Sequence, residues 1–182
     1  AVISIENAEG GSGNDIFVGD GAANSFYGNA GNDTFDGAGG TDHFDGGAGI
    51  DVVFYSGFTA PVRVDLTNGV VTFPGQGAAS ETVVAIENVQ GGSGNDILIG
   101  DAANNALSGN NGNDLLAGRV GDDGLFGGSG NDTLDGGDGT DILSGGAGTD
   151  TIIYTSNTTP VSVNLASQSV TFPGQGWPAE TL

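Results

Sequence analysis

Aspartate returns in this chain at a fixed interval. Asp15, Asp33, Asp42 and Asp51, then Asp96, Asp114, Asp123, Asp132, Asp141 and Asp150, each stand sixth in a nine-residue row, and Asn24 and Asn105 hold that place in two further rows. The chain carries 23 acidic residues against two basic ones, has no lysine, and has a formal net charge of -21. Carboxylates locked to a period, with no cationic side chain placed to answer them, call for a metal ion. All-oxygen donors in a flexible loop select Ca²⁺ over zinc or copper.

Other chemistries fit less well. Without Cys or Lys there is no thiol nucleophile, thiolate metal site, disulfide or Schiff-base lysine, and no P-loop lysine follows the glycine-rich turns. Paired carboxylates suit glycoside hydrolysis, yet a period of nine accounts for nearly all of them. His43, the single histidine, sits beside Asp42 and Asp45 and reads as an outward surface residue, since a Ser-His-Asp arrangement needs a pocket. Asp36, Asp45 and Asp135, in the ninth position, read as solvated face residues. The negative charge argues against nucleic acid and anionic lipid as partners, and no apolar stretch is long enough for membrane insertion. Nothing at Ala1 has the basic-then-apolar form of a signal peptide.

The rows themselves set the architecture. Five run from Gly10 to Phe54 and seven from Gly91 to Ile153, and the eighth position is apolar in all twelve. Nearly every row holds two or three glycines, too many for a helix at roughly 1 kcal/mol per residue. The pattern predicts a tight six-residue turn followed by a three-residue strand whose middle side chain points inward. Two rows make an 18-residue coil, and coils stack at about 4.8 Å. Turn n then lies beside turn n+2. Asp15, Asp33 and Asp51 line one edge of the first block, with Asn24 and Asp42 on the other. In the second block the edges are Asp96, Asp114, Asp132, Asp150 and Asn105, Asp123, Asp141. Neighbouring carboxylates at that spacing repel by roughly 3 to 4 kcal/mol at an effective dielectric of 20. One cation between adjacent turns gives three sites in the first block and five in the second. Eight calcium ions would bring the charge to about -5.

The blocks are separated by residues 55–90, four times nine, which preserves the register and favours a solenoid that runs on through the linker. Within it, alternating Val62, Val64 and Leu66 predict a half-buried strand. The segment Ala60–Val83 recurs as Thr159–Leu182. The organisation is 1–9, the end of a preceding linker; 10–54, the first block; 55–90, a β-rich linker; 91–153, the second block; and 154–182, the start of a truncated linker copy. The chain reads as a piece of a longer repetitive protein. Trp177 and Phe73 are expected to pack within the linkers. The Asn and Thr residues at the fifth position (Asn14, Asn32, Asn95, Asn113 and others) form an outward array.

The rows resemble the GGxGxDxUx nonapeptide of RTX (repeats-in-toxin), haemolysin-type calcium-binding proteins, over 108 residues in register. The resemblance implies an all-β, right-handed parallel β-roll (a β-solenoid) that holds up to about eight Ca²⁺. It implies ligands from the sixth-position side chains and from main-chain oxygens of the glycine turns, such as Gly11, Gly13, Gly92, Gly94, Gly128, Gly130, Gly137 and Gly139. Rows with Asn24, Asn105 and Gly118–Asp123 depart from the consensus, and their sites are expected to be weaker or empty. It further implies type I secretion, a secreted or cell-surface location, and folding on calcium after export. The expected partners are calcium ions alone for this monomeric, non-enzymatic segment, with a polysaccharide or surface ligand reached through the parent protein. That parent is read as a secreted enzyme (alginate epimerase, protease or lipase) or a large adhesin.

Overall fold

The computed structural model describes residues 5–75, 80–154, 162–164, 169–171 and 180–182. One short strand, β1 (Asn7–Glu9), precedes the first block, and each of its five rows then yields one more: β2 (Ile16–Val18), β3 (Ser25–Tyr27), β4 (Thr34–Asp36), β5 (His43–Asp45) and β6 (Val52–Phe54). The linker gives β7 (Arg63–Asp65), β8 (Val70–Thr72), β9 (Glu81–Val84) and β10 (Asn88–Gln90). The second block gives β11 (Ile97–Ile99), β12 (Ala106–Asn111), β13 (Leu115–Val120), β14 (Gly124–Ser129), β15 (Thr133–Asp138), β16 (Ile142–Ala147) and β17 (Thr151–Ile152). Three strands follow: β18 (Ser162–Asn164), β19 (Ser169–Thr171) and β20 (Glu180–Thr181).

Successive strands of a block alternate between two sheets, and within each sheet they pair in parallel with partners 18 residues away, as in Phe17↔Phe35 and Leu107↔Leu125. The 18-residue coil is therefore present, and the fold is an all-β parallel solenoid. Its core is the eighth-position column. Phe35, Phe44, Val53, Leu98, Leu107, Leu116, Leu125 and Leu134 are completely buried. In the first block phenylalanines stack along each sheet and across the gap, Phe17 on Phe35 at 5.2 Å and on Phe26 at 5.3 Å between ring centroids. One apolar side chain per row is a thin core, worth about 1.5 to 3 kcal/mol each against 9 ordered residues.

The linker continues both sheets, but not by adding coils. In one sheet β6 pairs directly with β10, Val52 with Asn88, so 36 residues occupy the single step that 18 occupy elsewhere. In the other sheet the surplus forms a meander. There β9 runs parallel to β5, β8 is antiparallel to β9 and β7, and β7 runs parallel to β11. Numerical register alone could not distinguish two extra coils from one coil with a folded-in hairpin. The absence of nonapeptide turns in the linker decides it, because only those turns reverse the chain into the opposite sheet every nine residues. Val62, Val64 and Val71 seal this region, and Phe73 stacks on Phe58 at 5.1 Å, inside the linker core as expected. Trp177 lies outside the described residues.

Candidate metal centre

The sixth-position side chains point inward at the corners between turn and strand, and most are out of solvent. Asp33, Asp51 and Asp141 are wholly buried, and Asp42, Asp96, Asp114, Asp123 and Asp132 nearly so. The two edges inferred from the period are both present. Eight of the ten sixth-position carboxylates spend one oxygen on the turn beneath: Oδ1 of Asp33 accepts the Asp15 N–H at 2.7 Å, and Oδ1 of Asp51 accepts the Asp33 N–H at 2.6 Å. The same bond links Asp114 to Asp96, Asp132 to Asp114 and Asp150 to Asp132. It links Asp42 to Asn24, Asp123 to Asn105 and Asp141 to Asp123 as well.

The second oxygen is the one with chemistry to do. Oδ2 of Asp33, Asp42, Asp51, Asp114, Asp123, Asp132 and Asp141 is buried without a hydrogen-bond partner. Leaving one buried carboxylate oxygen unsatisfied costs about 1 to 3 kcal/mol or more, and native folds keep few such atoms. Burial is also the main force pushing six of the edge carboxylates toward the neutral form. It raises Asp114 to about 7 and Asp123 to about 6, and raises Asp42, Asp51, Asp96 and Asp141 above the ordinary carboxylate value.

Each free oxygen faces a small cradle above the first-position glycine of its own row. A side-chain carbon on Gly28 would overlap Asp33 Oδ2 and lie 2.6 Å from the Gly46 carbonyl oxygen of the next turn. Gly10, Gly19, Gly91, Gly100, Gly109, Gly118 and Gly127 repeat the pairing of side-chain oxygen and carbonyl, with that carbonyl at 2.5–3.0 Å, although at Gly10, Gly19, Gly91 and Gly100 the side-chain oxygen also accepts a backbone N–H. These eight cradles coincide with the eight adjacent turn pairs expected from the period. The donors differ from two facing carboxylates: each cradle combines one side-chain oxygen with a main-chain carbonyl. Among the described residues no three acidic or histidine side chains converge, so main-chain oxygens must supply much of any coordination shell. Hard oxygen donors around a buried anion fit Ca²⁺.

The turns come in two forms. In eight rows the second and fourth positions have positive φ, as at Gly128 (109°) and Gly130 (140°) or Gly137 (97°) and Gly139 (145°). In the first two rows of each block they do not, and the second-position N–H folds back onto the sixth side chain. Gly11 donates to Asp15 at 2.9 Å, Gly92 to Asp96 at 2.7 Å, Asp20 to Asn24 at 3.1 Å and Asp101 to Asn105 at 2.9 Å. The expected ligand glycines thus divide: Gly128, Gly130, Gly137 and Gly139 lie in open turns, and Gly11, Gly13, Gly92 and Gly94 in closed ones.

Three features escaped the period. Glu87 takes a sixth-position place in the linker, its Oε2 accepting the Asp51 N–H at 2.8 Å; the signal was present, since it stands four rows after Asp51. Glu81 also falls beside Asp42, because Thr82 pairs with His43, although no count of nine reaches it. It is fully buried, accepts the Tyr55 hydroxyl at 2.9 Å, and is pushed by burial to about 7. Third, the fifth-position asparagines are not merely an outward array. Asn14, Asn95 and Asn113 each accept the N–H of the residue 18 further on, at 2.7–2.9 Å, so they clamp one turn to the next. His43 stays peripheral, Nδ1 at 2.7 Å from the Thr82 hydroxyl.

The family model of the RTX calcium-binding nonapeptide repeat matches the chain in four copies, at residues 9–44, 18–53, 90–125 and 117–152. Together they cover more than half of the chain, and every cradle glycine named above falls within them. A search of curated proteins finds no match.

Proposed function

The chain belongs to the RTX calcium-binding nonapeptide repeat family, and on that premise we propose that its two blocks form a β-roll whose folding is completed by calcium. The single observation that carries this is the column of buried, unpartnered Oδ2 atoms. The ligands in this reading are the sixth-position side chains together with main-chain oxygens of the glycine turns. Six cradles are walled by aspartate, at Gly10, Gly28, Gly91, Gly109, Gly118 and Gly127, and two by asparagine, at Gly19 and Gly100. The asparagine cradles bind more weakly, because their side chains bring no charge and the Asn105 Nδ2 already donates to the Glu87 carbonyl. Bound calcium would neutralise the buried carboxylates and satisfy their free oxygens.

Coupled binding and folding gives the segment its use. RTX repeats occur in proteins exported by type I secretion, and a chain that stays unfolded at low cytosolic calcium passes through a narrow channel and then folds outside at millimolar calcium. We assign this segment to the secreted or surface part of a bacterial protein, as a structural module of an enzyme or an adhesin rather than a catalyst. Equilibrium dialysis at about 1 mM free calcium, the range of extracellular modules, should leave six or more ions per chain by elemental analysis. Retention of none or one would defeat the assignment.

A further inference from the structure

The regular cradles end where the first block meets the linker, yet one more lies across the seam. Gly46 repeats the geometry of the other first-position glycines: a side-chain carbon there would overlap both Asp51 Oδ2 and a carbonyl oxygen. That carbonyl belongs to Ala85, which lies in the linker and outside every nonapeptide row. The residues Ala85, Ile86 and Glu87 make a shortened turn between β9 and β10. Val84 plays the ninth-position part, its carbonyl accepting the Gly46 N–H at 3.0 Å as the Asp45 carbonyl accepts that of Gly28 at 2.8 Å. Ala85 stands in the first position, and Glu87 in the sixth.

The independent sign of a ligand is Asp51 itself. Its Oδ1 is committed to the Asp33 N–H, while its Oδ2 is wholly buried, has no hydrogen-bond partner and faces the Ala85 carbonyl across the Gly46 cradle. Glu87 adds a second carboxylate on the same wall, held there by the Asp51 N–H. Two acids and a carbonyl at one corner, with no ion pair to either acid among the described residues, form a hard-oxygen donor set of the type that takes calcium.

We propose that Asp51, the Ala85 carbonyl and Glu87 hold one additional divalent cation of the calcium class, which fastens the linker onto the first block. The inference rests on the calcium reading of the regular rows. It extends that reading to a short, non-repeat turn, and gives the linker a ligating part of its own. Docking of β10 on β6 would then depend on calcium as the coil-to-coil contacts do.

The test compares calcium content after dialysis for the whole chain and two near-isosteric variants, with circular dichroism as a check on folding. Asp51→Asn keeps an oxygen for the Asp33 N–H and puts an amide in place of Oδ2; Glu87→Gln keeps an acceptor for the Asp51 N–H and removes the charge. Each variant is expected to retain one ion fewer than the parent while keeping its β signal in calcium. If Asp51→Asn fails to fold, Glu87→Gln alone decides. Equal ion counts in the parent and Glu87→Gln would overturn the seam site, even if Asp51→Asn lost an ion, since that loss would belong to the cradle below. A parent chain that binds no calcium would instead overturn the underlying reading.

Discussion

Withdrawal of calcium is expected to unfold the two blocks as a unit. The stabilising side of the balance is a single apolar residue per row, from Phe17 to Leu143. The opposing side is two columns of buried carboxylates, with seven oxygens unpartnered. At roughly 3 to 4 kcal/mol of repulsion for each adjacent charged pair at an effective dielectric of 20, a few bare pairs exceed the 5 to 15 kcal/mol that ordinarily holds a domain together. In excess chelator at pH 8 the chain should lose its β spectrum and expand, and calcium should restore both. Magnesium should not, because it demands tight octahedral geometry and dehydrates reluctantly.

The same balance gives a pH dependence in chelator. Asp114 and Asp123 are raised by burial to about 7 and about 6 from an ordinary value of 3.8. The metal-free fold therefore binds more protons than the unfolded chain, and its stability falls as pH rises. The contribution from protonation is complete below about 3.8 and lost as pH climbs through about 7. Without calcium, compaction should be recovered on acidification from pH 8 toward pH 5, and read by hydrodynamic radius. A calcium-free chain that is compact and β-rich at pH 8 would contradict this.

Substitution of Gly130 by alanine should be among the most damaging changes of a single methyl group. Gly130 has φ of 140°, and a side-chain carbon there would overlap the Gly112 carbonyl oxygen and lie 2.6 Å from its carbon. Both obstacles are backbone of the turn beneath, so relief requires turns to separate along the column that carries Asp114 and Asp132. A loss of about 3 kcal/mol or more is expected, combining a strained φ with a steric clash. Gly11→Ala is the matched control: nothing lies within 4 Å of its added carbon, and its φ is not left-handed. Thermal melts in excess calcium should separate the two clearly, and equal melting temperatures would reject the stacked-turn geometry.

The glycine contrast also shows what could be read from the sequence. The coil, the inward column and the membership of each edge follow from position alone, because a strict period of nine leaves no freedom in which residues stack. The form of a turn does not. Rows 10–18 and 127–135 both begin Gly-Gly-Ser-Gly-Asn-Asp, yet Gly11 and Gly13 lie in a closed turn and Gly128 and Gly130 in an open one. The open form occurs where a nonapeptide turn lies beneath, as Gly112 lies beneath Gly130. A neighbour 18 residues away, not local sequence, sets φ. Ala22 and Ala103, in the fourth position of closed turns, were the only local hint.

The linker was legible in its strands but not in their arrangement. Alternation located β7, while the direct pairing of β6 with β10 depends on a hairpin being accommodated in only one of the two sheets. Glu81 was invisible for the same reason, since it reaches the edge beside Asp42 through β9 rather than through the period.

The central claim is that calcium ions occupy the cradles beside the buried Oδ2 atoms. Crystals grown in calcium, measured at a wavelength where calcium scatters anomalously, place those ions directly. The account predicts anomalous peaks in regular columns along both edges, each within bonding distance of a sixth-position carboxylate and a first-position carbonyl. An ordered roll with peaks elsewhere, or with hydrogen-bonded water in the cradles, would contradict it.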